Sequence, residues 1–248
     1  MSAALWIIVA VAAALALYAA GAVGWALGRR ASAAGGSSSA MPVLREVPAR
    51  TPADVLVALR NLPDLLERRD VLVINTVTTG IDPRAEVVDV AVLDTTGELR
   101  MNRLSLAVNR IPREASDTHG LTRDRLREVH ADPWPVVYAE LVDLLATATL
   151  VLGYNAGLHR RMLTQTAERH GLKRLPVTDW ACLMRTYTQM TAGPDAPWIE
   201  LAAARTRERL AAPVTHHWAM EDGRTALELL RILACREASE VRQPRQSR

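Results

Sequence analysis

Residues 3–28, AALWIIVAVAAALALYAAGAVGWALG, run without a charged side chain. As a helix this stretch rises about 39 Å, enough to cross a ~30 Å hydrocarbon core with some tilt. Trp6 and Trp25 stand near its ends, where interfacial rings are expected. Arg29 and Arg30 follow at once, and no Lys or Arg precedes the run. The pattern predicts one transmembrane helix whose C-terminal side faces the cytoplasm. ASA at 31–33 resembles a signal-peptide cleavage site, but the apolar run is too long for an h-region and the charge lies on the wrong flank. RRASAAGGSSSA, followed by Pro42, Pro48 and Pro52, predicts a flexible linker over 29–52. A folded domain is expected over 53–235 and a polar tail over 236–248.

Within the domain, ADVLVALRNLPDLLERR predicts an amphipathic helix bent at Pro63. DVLVINTV is apolar and β-rich, a buried strand. EVVDVAVLDTTGELR and RLSLAVN predict two further strands, joined through the TTGIDPRA and DTTGEL turns. After IPREASDTHG the spacing becomes helical. LTRDRLREV is a short helix with Thr122 as N-cap, and PWPVVYAELVDLLAT a longer one. ATLVLGYN predicts a strand, and AGLHRRMLTQTAERHG a helix closed by Gly171. PVTDWACLMRTYTQM starts extended and turns helical; WIELAAARTRERLA and DGRTALELLRILACREA complete the helices. Three meander strands followed by alternating strands and helices imply an α/β fold with a mixed sheet flanked by helices.

Composition narrows this little. Net charge is +3, and Lys173 is the only Lys among 30 basic residues. A near-balanced charge does not mark a nucleic-acid binder by itself, although arginine forks would grip phosphate where they cluster. Cys182 and Cys235 fit no metal spacing and are expected as small buried hydrophobes in a reducing compartment.

Four segments stand out by order and spacing: Asn75-Thr76-Val77-Thr78-Thr79-Gly80 followed by Ile-Asp-Pro, Thr118-His119-Gly120-Leu121-Thr122, Tyr154-Asn155-Ala156-Gly157-Leu158-His159, and His217-Trp218-Ala219-Met220-Glu221-Asp222. Together, with WIELAAA before the last, they resemble the DEDDh 3′-to-5′ exonucleases, such as RNase T and the epsilon subunits of DNA polymerase III. The resemblance spans roughly residues 69–234 and implies a ribonuclease H-like fold. It also implies two divalent ions, Mg²⁺ or Mn²⁺, clamping the attacking and leaving oxygens of a phosphodiester. The family's first motif is Asp-x-Glu, whose alternation on a strand aims both carboxylates at the ions. Its second supplies a third carboxylate, its third a fourth together with a general-base His.

Mapped onto this chain, His217 and Asp222 are kept, while Asn75, Val77 and His159 stand where carboxylates are expected. Asn75 offers a neutral carbonyl oxygen, Val77 no donor, and His159 a nitrogen that Mg²⁺ disfavours. Each loss costs no less than the ~10- to 100-fold of an outer-shell change, so three together cost at least ~10³-fold. Asp222 is the one residual ligand, and no bound metal is expected. His159 has a plain alternative as a hydrogen-bonding residue at a helix start. A rarer one gathers Asp89, His159, His217 and Asp222 around Zn²⁺. Asp222 serves equally well as a first-turn carboxylate on the last helix. Thr79, Gly80, His119 and Asn155 occupy the positions that the resemblance assigns to the 3′-terminal nucleotide, with Gly80 also explained by a turn alone. Trp134, Trp180, Trp198 and Trp218 are expected in the core or a lid.

The function expected is therefore that of a membrane-tethered, catalytically inactive exonuclease-like module on the cytoplasmic face, binding single-stranded DNA or RNA ends or a protein partner. The alternatives are residual metal-dependent exonuclease activity, and a scaffold without affinity for nucleic acid.

Overall fold

The computed structural model describes residues 56–176, 179–212 and 218–242. The expectations for the anchor (3–28), the linker (29–52) and His217 fall outside them. Among the described residues, no helix is long and apolar enough to cross a membrane.

Among the described residues, six strands form one mixed sheet. In chain order they are β1 (Val71–Thr78), β2 (Val87–Asp94), β3 (Leu99–Leu106), β4 (Asp132–Pro133), β5 (Leu150–Gly153) and β6 (Asp179–Cys182), and their order across the sheet is β4-β3-β2-β1-β5-β6. β1, β2 and β3 are antiparallel neighbours; β5 and β6 join β1 in parallel. β1 and β2 are central and covered on both faces, which explains why VLVINTVT and VVDVAVLD read as apolar runs rather than strict alternations.

The helices are α1 (Leu62–Leu65), α2 (Arg113–His119), α3 (Arg123–Glu128), α4 (Trp134–Leu145), α5 (Ala156–Arg169), α6 (Leu183–Ala192), α7 (Leu201–Arg207) and α8 (Ala219–Arg242). α5 and α8 lie on opposite faces of β1. On α5, His159 meets Thr76, whereas Gly223 of α8 lies over Asn75 and Leu93. Side chains alternate along a strand, so Asn75 and Val77 share the α8 face and Thr76 points the other way. Trp134, Tyr138, Leu141, Trp180 and Leu230 belong to the main core.

Several sequence expectations are met. Thr122 caps α3, its hydroxyl accepting from Arg125 N at 3.1 Å. Gly171, with φ of 65°, follows the end of α5. Others are corrected. Residues 56–61 are not helical: Leu56 bridges to Trp180, Val57 N donates to Trp180 O at 2.8 Å, and Asn61 has φ of 54°. Their apolar spacing serves the edge of the sheet, and α1 is only the turn begun by Leu62-Pro63. The tail expected from residue 236 is helical through Arg242. Polar side chains anchor that extension: Glu237 Oε2 accepts from Leu62 N at 2.6 Å, and Arg236 pairs with Glu208 at 2.7 Å. α2 falls in the IPREASDTHG stretch, to which no element was assigned. Cys182 is buried, but Cys235 is exposed, on the outer side of α8.

Candidate functional site

β1 carries the site, and its surroundings follow from register. Val77 pairs with Asp89 and Thr78 with Val87, leaving Val88 as an extra residue in a bulge. Asn75 and Val77 therefore look toward the first turn of α8 together with Asp89. Asn75 is 5% exposed, and Leu93 and Gly223 crowd the same spot. Val77 is 8% exposed and belongs to a small apolar cluster with Ala91, Ile111, Leu121, Leu126 and Ala219. Asp89 is buried, and its Oδ2 accepts from Ala219 N at 2.8 Å, satisfying one of the open N–H groups of α8. Burial foremost, with the nearby Asp222 carboxylate adding to it, raises the Asp89 pKa to about 7. Asp222 lies in the first turn of α8, half-buried. Sequence reasoning noted Asp89 only as a remote metal donor; its role in docking α8 depends on the Val77–Asp89 register, which only the paired strands reveal.

His159 does not join this group. Its ring lies on the α5 side, where Nδ1 is 2.9 Å from Thr76 Oγ1 and accepts from Thr76 N at 3.3 Å. β5 pairs with β1 only from Val71 to Val73, so the Thr76 N–H lies past the last strand partner. An accepting Nδ1 requires the neutral Nε2–H tautomer, and burial lowers the His159 pKa to about 4. The four-residue Zn²⁺ arrangement is thereby corrected: the His159 ring is held at Thr76 instead. Among the described residues, no group of three or more His, Cys, Asp and Glu gathers in a way that could hold a metal ion.

The four nucleotide-position residues all have structural work. The Thr79 hydroxyl accepts from Glu86 N at 2.9 Å, while Thr79 N donates to Glu86 O at 2.9 Å. Gly80 takes φ of 154°, and its carbonyl accepts from Thr78 Oγ1 at 2.6 Å, so the turn itself calls for glycine. Gln165 Nε2 ties that turn to α5 by donating to Ala85 O at 2.6 Å. His119 Nδ1 accepts from Leu121 N at 3.1 Å, next to the Val77 cluster. Asn155 caps α5, its Oδ1 accepting from Leu158 N at 3.3 Å. Trp134 and Trp180 are core residues as expected, whereas Trp198 is exposed.

No protein-family model matches the chain. It is 28% identical over 174 residues to the uncharacterized exonuclease CP81 of Escherichia phage 186, an overlap of 66% of this chain and 88% of that protein. Its fold resembles that of exonuclease X in complex with 5′-overhanging duplex DNA, with a TM-score of 0.50 and 19% identity over 68% of this chain and 93% of the other. It also resembles the nuclease domain of 3′hExo, a DEDDh family member, bound to rAMP, with a TM-score of 0.52 and 16% identity over 66% and 90% of the two chains.

Proposed function

We propose, from the premise that this chain is a DEDDh-like exonuclease in fold and kinship, that it no longer cleaves phosphodiesters and instead binds nucleic-acid ends. The observation that carries this is the local environment of the three substituted positions. Val77 is a core side chain in an apolar cluster, Asn75 is closed in under Gly223, and His159 completes the hydrogen bonding of Thr76. A pair of Mg²⁺ or Mn²⁺ ions needs convergent oxygen donors, chiefly carboxylates. Here one position has an amide, one has hydrocarbon and one has a ring engaged elsewhere. Asp89 uses one oxygen on Ala219 N, and Asp222 remains. This donor set does not fit two hard dications, and no hydrolytic step is assigned to it.

The binding half of the proposal draws on kinship and on what the neighbours bind: duplex DNA for one, rAMP for the other. The anchor at 3–28 would hold the domain at the cytoplasmic face of a membrane, close to whatever ends it captures. A protein partner at that surface is the second candidate ligand.

The test uses the full-length protein with end-labelled single-stranded DNA and RNA in Mg²⁺ or Mn²⁺. The expected result is intact oligonucleotide and salt-dependent binding. Metal-dependent shortening that is abolished in Asp222→Asn would restore the enzyme reading. Neither cleavage nor binding would leave a scaffold. Deleting residues 3–28 is expected to move the protein from the membrane fraction to the soluble fraction.

A further inference from the structure

The connection from α6 to α7 leaves a large aromatic ring in solvent. Trp198 is 63% exposed. It walls a cavity of about 370 Å³ together with Arg185, Thr188, Gln189, Pro194 and Ala196. Arg185 and Gln189 lie one turn apart on the exposed face of α6. Among the described residues, neither side chain has a hydrogen-bond or ion-pair partner. Asp195 and Glu200, the acidic residues of the same connection, do not line the cavity.

One residue ties both walls of the cavity to the segment that opens α5. Tyr154, which precedes the α5 cap Asn155, donates its hydroxyl to Ile199 O at 2.8 Å. Its carbonyl accepts from Met184 N at 2.8 Å. Ile199 N in turn donates to Thr188 Oγ1 at 3.0 Å. Tyr154 thus joins both walls, next to Trp198 on one side and Arg185 on the other, and holds them at a set spacing.

We propose that this cavity is a subsite for one unpaired nucleotide of a single-stranded nucleic acid. The base stacks on Trp198, the Gln189 amide meets its edge, and Arg185 holds the adjoining phosphate. Each chemical group in the cavity then has a use. A base offers a π-face to any aromatic ring, and its polar edge suits a primary amide. A phosphate one bond network away suits an unpaired guanidinium. An acidic peptide would engage Arg185 and leave the indole in water. The inference rests on the nucleic-acid-binding reading above and places part of that binding here.

The test is fluorescence anisotropy of labelled oligo(dT) and oligo(U) with the full-length protein at several salt concentrations, comparing Trp198→Ala, Trp198→Phe and Arg185→Gln. Trp198→Ala is expected to weaken binding about 5- to 150-fold, the range for losing one stacked base, while Trp198→Phe keeps most of it. Arg185→Gln is expected to weaken binding and to lower the salt slope by ~0.7, one phosphate contact on a single strand. Both residues are exposed, so the melting temperature should not move. Wild-type binding with unaltered variants would overturn the subsite and leave the binding reading standing. Equal losses in Trp198→Ala and Trp198→Phe would also overturn it, because stacking needs only a ring. No binding by the wild type would remove the broader reading, and this subsite with it.

Discussion

Thr76 carries an N–H past the end of its β5 partner, and the His159 ring accepts from it. The ring must stay neutral to do so, which ties the contact to pH. His159 has its pKa lowered from 6.5 to about 4, so its contribution is whole above pH 6.5 and is lost as pH falls toward 4. Asp89 has its pKa raised from 3.8 to about 7, so its folded state is favoured below pH 3.8 and loses that advantage as pH rises toward 7. Between pH 4 and 6.5 the two slopes oppose. Asp89→Asn is expected to leave stability rising with pH across that window, at up to ~1.4 kcal/mol per pH unit from His159. His159→Gln is expected to leave it falling. Urea titrations at a series of pH values decide this; parallel profiles for the two variants would contradict the assignment. Val77 makes a simpler case. As a member of a closed apolar cluster, Val77→Ala should cost about 2 kcal/mol, whereas a vestigial ligand position would tolerate it.

At the scale of elements, the seat of α8 on the sheet depends on a small residue. A Cβ on Gly223 would come within 2.9 Å of Leu93 Cδ1 and 3.8 Å of Asn75 Cβ. Alanine normally favours a helix by ~1 kcal/mol over glycine, yet here overpacking of about 1–3 kcal/mol opposes it. Gly223→Ala is therefore expected to lower the melting temperature, and a rise would show that α8 does not press on β1. The central strands and α3, α4 and α5 were legible because their patterns are local, and Thr122 and Gly171 mark real ends; Asn155, expected at a nucleotide position, caps α5 instead. Residues 56–61 misled because apolar spacing cannot tell a helix from an edge segment that bridges to Trp180. The α8 extension was hidden for a related reason. Glu237 looks like tail chemistry until Leu62 N is seen to need an acceptor.

For the whole molecule, the motif order in the sequence already implied the α/β exonuclease-like fold, and which positions lack carboxylates. What it could not give is what surrounds those positions. That required knowing that Val77 faces Ala219 and Leu121, that His159 turns to the other side of the sheet, and that Asp89 holds the start of α8. Clustered carboxylates repel until cations arrive, and a largely neutral site lacks that strain. Melting temperature should accordingly be indifferent to millimolar Mg²⁺ and to EDTA, whereas a ligand bound only by the folded state would raise it. The most direct measurement is a Mn²⁺ titration of the full-length protein, followed by electron paramagnetic resonance, with and without single-stranded oligonucleotide. The account predicts free Mn²⁺ in proportion to what is added, with no saturable sites on the protein. Two equivalents of Mn²⁺ taken up per chain in the presence of oligonucleotide would contradict it.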